Sequence, residues 1–184
     1  MARPFRHHVD DEILDRAAAL FARHGFEQTS VKALADAVGL SKAGLLHHYP
    51  TKEALYEAAR KVGDAQARRV LDQVAPLPPG PARDRRALEL LTDIALDRPG
   101  LVALAFRSVT ASDAVLDDQD VFVSEVFAVD AADTERQVRV IGALSALAVL
   151  SLAANLREEK TAWRPLIIAT CSDALASRPN QVEA

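Results

Sequence analysis

The sequence predicts an all-α protein in two parts: a short N-terminal three-helix segment and a larger helical remainder, about nine helices together. Three observations point there. Alanine and leucine dominate a composition that is 49% hydrophobic but only 5% aromatic, which leans toward helices. Apolar residues recur at helical spacing, and small capping residues stand just before those runs. One stretch, "VFVSEVFAV" (Val121 to Val129), would also suit a strand, but no alternating partner appears elsewhere, so it is read as helix.

In chain order, Asp10 or Asp11 can cap a first helix whose apolar stripe is Ile13, Leu14, Ala17, Leu20 and Phe21. It ends at "RHGFEQTS", where Gly25 suits a helix C-terminus and Phe26 packs back. Thr29 or Ser30 caps "VKALADAV", closed by Gly39. Ser41 caps "KAGLLHHY", closed by Pro50, and Thr51 caps a long fourth helix running from Lys52 to about Val74. "APLPPGPAR" (Ala75 to Arg83) is a proline-rich loop. Helices follow near 83–97, 99–110, 115–129, 132–157 and 161–177. The most apolar run, Val140 to Ala154, is 15 residues long. A membrane span needs about 20, so a fully buried helix is expected and no membrane partner.

At 184 residues the chain accommodates one ordinary domain or a small module plus a larger one. A single cysteine, Cys171, cannot form an internal disulfide, which fits a reducing cytoplasm. The N-terminus lacks the apolar core of a signal peptide. Charge divides unevenly. Residues 1–52 hold seven Lys and Arg against six Asp and Glu, and residues 53–184 hold fifteen against twenty. All five histidines lie in the first part, so a mildly basic face for nucleic acid can only be there.

Two short helices around a glycine-containing turn make a helix-turn-helix pattern. Ala35 lets the helices approach, Gly39 supplies the positive φ of the turn, and Leu45 returns to a core with Leu34, Val38 and Leu40. An ordinary helical hairpin is the alternative. Against it, Leu45 and Tyr49 face inward, leaving Ala43, Gly44, His47 and His48 toward solvent. Glycine at a surface position costs ~1 kcal/mol relative to alanine, so Gly44 suggests close approach by another surface. Lys52 and Lys42 each open a helix, where a cation opposes the dipole unless a phosphate is bound as well.

The stretch "TSVKALADAVGLSKAGLLHHYPTKEAL" resembles the DNA-binding domain of the tetracycline-repressor (TetR) family of transcriptional regulators, over about residues 10 to 58. The resemblance implies a helix-turn-helix DNA-binding domain at 1–52 and a helical effector-binding and dimerisation domain at 53–184. It places Ser30, Ser41, His48 and Lys52 at backbone-phosphate positions. It places Lys42, Ala43, Gly44 and His47 on the face that enters the major groove, with Tyr49 as the buried aromatic. Many members carry tyrosine where Leu46 stands, so one phosphate contact is missing here.

The paired histidines do not suit a metal, because adjacent residues on a helix project about 100° apart. No nucleophile motif, paired carboxylates or phosphate loop accompanies them, so no enzyme activity and no cofactor are expected. His7 and His8 are read as part of an N-terminal arm. Operator binding is expected to strengthen modestly toward pH 6, since an imidazole gains charge below about 6.5.

A reader of two half-sites should be a homodimer. Gly142, Ala143, Ser145, Ala146 and Ala148, with Leu166, Ile167, Thr170 and Cys171, form the expected four-helix interface. By resemblance, the middle helices should enclose a small, mainly apolar effector. Leu91, Ile94, Ala95, Leu104, Phe106, Phe122, Phe127 and Trp163 could line its pocket, and Thr92, Arg107, Ser108 and Asn155 are the polar candidates. The expectation is therefore a cytoplasmic repressor on near-palindromic double-stranded DNA. The alternatives are an activator on the same fold, or a helical enzyme or binding protein whose hairpin does not touch DNA.

Overall fold

The computed structural model describes residues 3–110 and 118–176, apart from the side chains of 3–9, 108–110 and 118–120. Among them are nine helices and no strand: α1 (Arg3–His24), α2 (Val31–Ala37), α3 (Lys42–His48), α4 (Lys52–Val74), α5 (Pro81–Asp97), α6 (Pro99–Thr110), α7 (Asp118–Phe127), α8 (Thr134–Leu156) and α9 (Lys160–Leu175). The β-branched stretch around Val121 is helical, in α7. The side chain of Ser108, and the expected helix limits at 115 and 177, lie outside the described residues.

α1 starts at Arg3, seven residues before the first candidate cap. Pro4 explains why this is tolerated: it falls in the first turn, where no backbone N–H is required. His7 and His8 therefore belong to α1 rather than to an arm.

Contacts divide the chain into two units, Met1–Arg68 with Asp97–Asp117, and Arg69–Leu96 with Asp118–Ala184. The first contains α1–α3, most of α4, and α6. Its core joins Ile13, Leu14, Ala17, Ala18 and Phe21 of α1 to Leu34, Ala35, Leu45, Leu55, Ala59, Leu101 and Leu104. Phe21, Phe26 and Tyr56 form an aromatic cluster, with ring centroids 5.0–5.8 Å apart. α6 is fastened to α1 at three levels. Asp15 accepts a hydrogen bond from the Leu101 N–H at 3.0 Å, Arg98 pairs with Asp11 at 2.7 Å, and Arg107 donates to the Ala22 carbonyl at 3.0 Å. Burial raises the Asp15 carboxyl from its ordinary value, outweighing the backbone N–H groups of Leu101 and Gly100 that favour its charged form.

In the second unit, α8 and α9 form an antiparallel hairpin. Arg139, near the start of α8, donates to the carbonyls of Ala174 (3.3 Å) and Ala176 (2.8 Å) at the end of α9, where a cation also meets the negative pole of the helix. Two other arginines hold the end of α7. Arg83 donates to the carbonyls of Glu125, Val126 and Leu77, and Arg136 to that of Phe127 and to Asp84.

α8 is not the fully buried helix that its composition suggests. Val140, Ala143, Leu147, Ser151 and Ala154 are buried, while Val138, Ile141, Val149, Leu152 and Leu156 are between 49 and 78% exposed. The run is apolar on all sides, so composition cannot tell the packed face from the open one. α8 is long and apolar enough to cross a membrane by length and composition; it begins with polar residues and packs along one face.

Candidate nucleic-acid interface

Three successive helix starts are built alike. Ser30 Oγ accepts from the Ala33 N–H at 3.1 Å, Ser41 Oγ from the Gly44 N–H at 3.0 Å, and Thr51 Oγ1 from the Ala54 N–H at 3.1 Å. A capping hydroxyl uses a lone pair in this bond and keeps its O–H as a donor for something outside. All three residues are exposed.

The turn between α2 and α3 is set by Gly39 at φ +72. Leu40 N–H reaches the Ala35 carbonyl at 2.9 Å and Gly39 N–H that of Asp36 at 3.2 Å, a Schellman cap that needs a left-handed residue at this place. α3 then buries Leu45 and half-buries Leu46 and Tyr49. Lys42, Ala43, His47 and His48 are exposed beside a half-buried Gly44. Burial, with Asp10 and Asp11 nearby, pushes the Tyr49 phenol up to about 12, so it stays a neutral anchor. Gly44 also has a local reason to be glycine: a Cβ there would lie 3.2 Å from the capping Oγ of Ser41.

Two basic side chains are held differently from the sequence expectation. Lys52 Nζ donates to the Phe26 carbonyl at 2.9 Å and lies 4.2 Å from the centre of the Phe26 ring. A carbonyl and a π face thus compensate a cation at the positive end of α4, with donors to spare. His48 Nδ1 stands 3.3 Å from Asp10 Oδ1 on α1, and the rings of His47 and His48 meet edge-on at 6.0 Å. Asp10 has no sequence signal; only the packing of α1 brings it to α3. Among the described residues no three His, Cys, Asp or Glu side chains gather as metal ligands would.

The effector candidates fall into both units. Phe106 is half-buried and Arg107 exposed on α6 in the first. Thr92, Phe122 and Asn155 are in the second: Phe122 is half-buried on α7, and Asn155 Nδ2 donates to the Ser151 carbonyl at 2.9 Å. Thr92 Oγ1 and Ser151 Oγ are buried without a hydrogen-bond partner. Of the expected interface residues, Gly142, Ser145, Leu166 and Thr170 are exposed, but Ala143, Ile167 and Cys171 belong to the interior of the unit. Neighbours in sequence project about 100° apart on a helix, so they could not all share one face.

Small capped helices, a left-handed glycine turn and an open face on the second helix define a helix-turn-helix domain. Residues 13–59 match the family "Bacterial regulatory proteins, tetR family", and the chain carries that family's domain at its N-terminus. The chain is 44% identical over 46 residues to the HTH-type transcriptional repressor KstR2 of Rhodococcus jostii, covering 25% of this chain and 22% of that protein. It is 35% identical over 53 residues to IcaR of Staphylococcus aureus, the negative transcriptional regulator of the biofilm operon icaADBC, covering 29% and 28%. The matches thus span about a quarter of each curated relative. The fold extends further. A crystal structure of a TetR family transcription regulator from Marinobacter aquaeolei VT8 superposes with a TM-score of 0.56 at 24% identity, covering 94% of this chain and 98% of that one.

Proposed function

We propose that the protein is a cytoplasmic transcriptional repressor that binds a near-palindromic operator as a homodimer and is released by a small, mainly apolar effector. The observation that carries this reading is α3, anchored by Leu45 and Tyr49 while Lys42, Ala43, Gly44 and His47 stay open for the major groove. Ser30, Ser41 and Thr51 offer hydroxyl donors to phosphates on either side, with His48 and the remaining donors of Lys52 beside them. Repression, rather than activation, is supported by the roles of the two curated relatives.

The homodimer rests on the open stripe of α8: Val138, Ile141, Ser145, Val149, Leu152 and Leu156 follow three- and four-residue steps, and Leu166 on α9 is exposed too. A second copy would cover it. The effector site is placed in the second unit, where the unpartnered hydroxyls of Thr92 and Ser151 can bond to a neutral polar group within apolar surroundings. Effector binding would favour a conformation in which the two α3 helices no longer match their half-sites.

Genomic DNA fragments retained by the purified protein test this. The expected motif is an inverted repeat with half-sites about one helical turn, or a multiple of it, apart. A Lys42→Ala variant should weaken binding and make the salt dependence shallower by about one unit of slope per protomer. Retention of fragments sharing no motif would count against operator recognition.

A further inference from the structure

Phe26 stands in the loop between α1 and α2, and the start of α4 closes over it. Lys52 Nζ donates to its carbonyl at 2.9 Å and lies 4.2 Å from its ring centre. Tyr56, one turn further along α4, meets the same ring at 5.0 Å, and Phe21 stacks on it at 5.8 Å. The carbonyl is fixed as well. It also accepts from the Thr29 N–H at 3.2 Å, and the buried Thr29 hydroxyl donates to the Gly25 carbonyl at 2.6 Å. Ser30, the cap of α2, follows Thr29 directly, and Thr51, the cap of α4, directly precedes Lys52. The ammonium thus ties two capped helix starts together.

A carboxylate in this place would cancel the charge of Lys52. A carbonyl and a π face hold the ammonium without cancelling it, and leave further N–H donors for another acceptor. A mobile lysine loses much rotamer freedom when it grips a phosphate. Here the ring and the carbonyl fix the ammonium beforehand, so less freedom remains to be lost on binding. We propose that Phe26 is a positioning residue for DNA binding, whose ring and carbonyl hold the Lys52 ammonium ready for a backbone phosphate. The proposal rests on the DNA-binding reading above and on the phosphate contact it gives Lys52. Phe26 acts through Lys52 and makes no DNA contact of its own.

The part played by the ring is electrostatic. Its negative face attracts the ammonium, so an apolar side chain of similar bulk fills the space without holding the charge. The loss expected on removing the face is about two- to fivefold in affinity per protomer, the usual range for an exposed cation–π contact. The charge itself stays on Lys52, so the number of phosphates neutralised does not change.

The test uses a duplex that the protein itself selects from a random pool, with affinity measured by fluorescence anisotropy across a range of salt. All variants are compared well below their thermal midpoints. Lys52→Met should weaken binding and make the salt slope shallower by about one unit per protomer. Phe26→Leu should weaken binding while keeping the wild-type slope. In the Lys52→Met background the same Phe26→Leu change should have no further effect, since it acts only through the ammonium. Pentafluorophenylalanine in place of Phe26 keeps the ring's shape but inverts its quadrupole, and should weaken binding at least as much as leucine. A Phe26→Leu loss that persists in the Lys52→Met background would make Phe26 a packing residue and overturn the proposal. Wild-type affinity with the fluorinated ring would overturn it too. A slope unchanged by Lys52→Met would show that Lys52 meets no phosphate, which defeats the proposal but not DNA binding by α3. Selection of no duplex would defeat the DNA-binding reading and the proposal with it.

Discussion

Replacing Gly100 with alanine is expected to destabilise the protein by about 3 kcal/mol, a drop in thermal midpoint of roughly 6–12 °C for a chain of this size. The first turn of α6 crosses α1 so closely that an added Cβ would lie 1.9 Å from the Asp15 carbonyl oxygen, 2.8 Å from its carbon and 3.0 Å from the Ala19 nitrogen. All three atoms are backbone, so no side chain can swing aside. The helices would have to part, loosening the Asp15–Leu101 hydrogen bond, the Arg98–Asp11 pair, and the burial of Leu101 and Leu104. Gly63 is the control. It lies within α4 with nothing within 4 Å of an added Cβ, so Gly63→Ala should be neutral or stabilising by up to ~1 kcal/mol. Thermal unfolding followed by circular dichroism measures both. A Gly100→Ala protein as stable as wild type would mean that α6 does not rest on α1 in this way.

The double variant Val149→Glu, Leu152→Glu is expected to give a folded monomer whose operator affinity is lower by 100-fold or more. Both side chains are about half exposed or more, so carboxylates there meet water in a single chain and cost the fold little. In a dimer the same carboxylates would be buried against their own symmetry mates, where unpaired charge is costly. Separation then removes the avidity of two linked half-site contacts, typically about 10²–10⁴. Analytical ultracentrifugation gives the mass, and anisotropy on a selected duplex gives the affinity. An unchanged dimer would place the interface elsewhere; a monomer that binds as well as wild type would remove the need for two half-sites.

What could be read from the sequence was local. Ser30, Ser41 and Thr51 announced themselves as caps because the N–H they bond lies three residues on. Gly39 marked its turn because only glycine adopts φ +72 without strain. The inward set of α3 followed from the i, i+4 spacing of Leu45 and Tyr49. What escaped depended on distant segments. Asp10 reaches His48, Asp15 reaches Leu101, and the Phe26 carbonyl reaches Lys52 only after the chain has packed. Lys52 shows the cost of local reasoning: a cation at a helix N-terminus implied an absent phosphate, while Phe26 already supplied a carbonyl and a ring. The open face of α8 was hidden for a different reason. Apolar and small residues surround that helix, and its two sides separate only when α9 covers one of them.

The most direct test of the DNA-binding account is the affinity for a self-selected duplex, followed as salt is raised at constant pH. Lys42 and Lys52 on each protomer would neutralise phosphates and release counterions, giving about four charges per dimer and a slope of log affinity against log salt near −4. A scrambled duplex should bind far more weakly while showing a similar electrostatic dependence. Binding that ignores salt, or equal affinity for selected and scrambled DNA, would contradict the account.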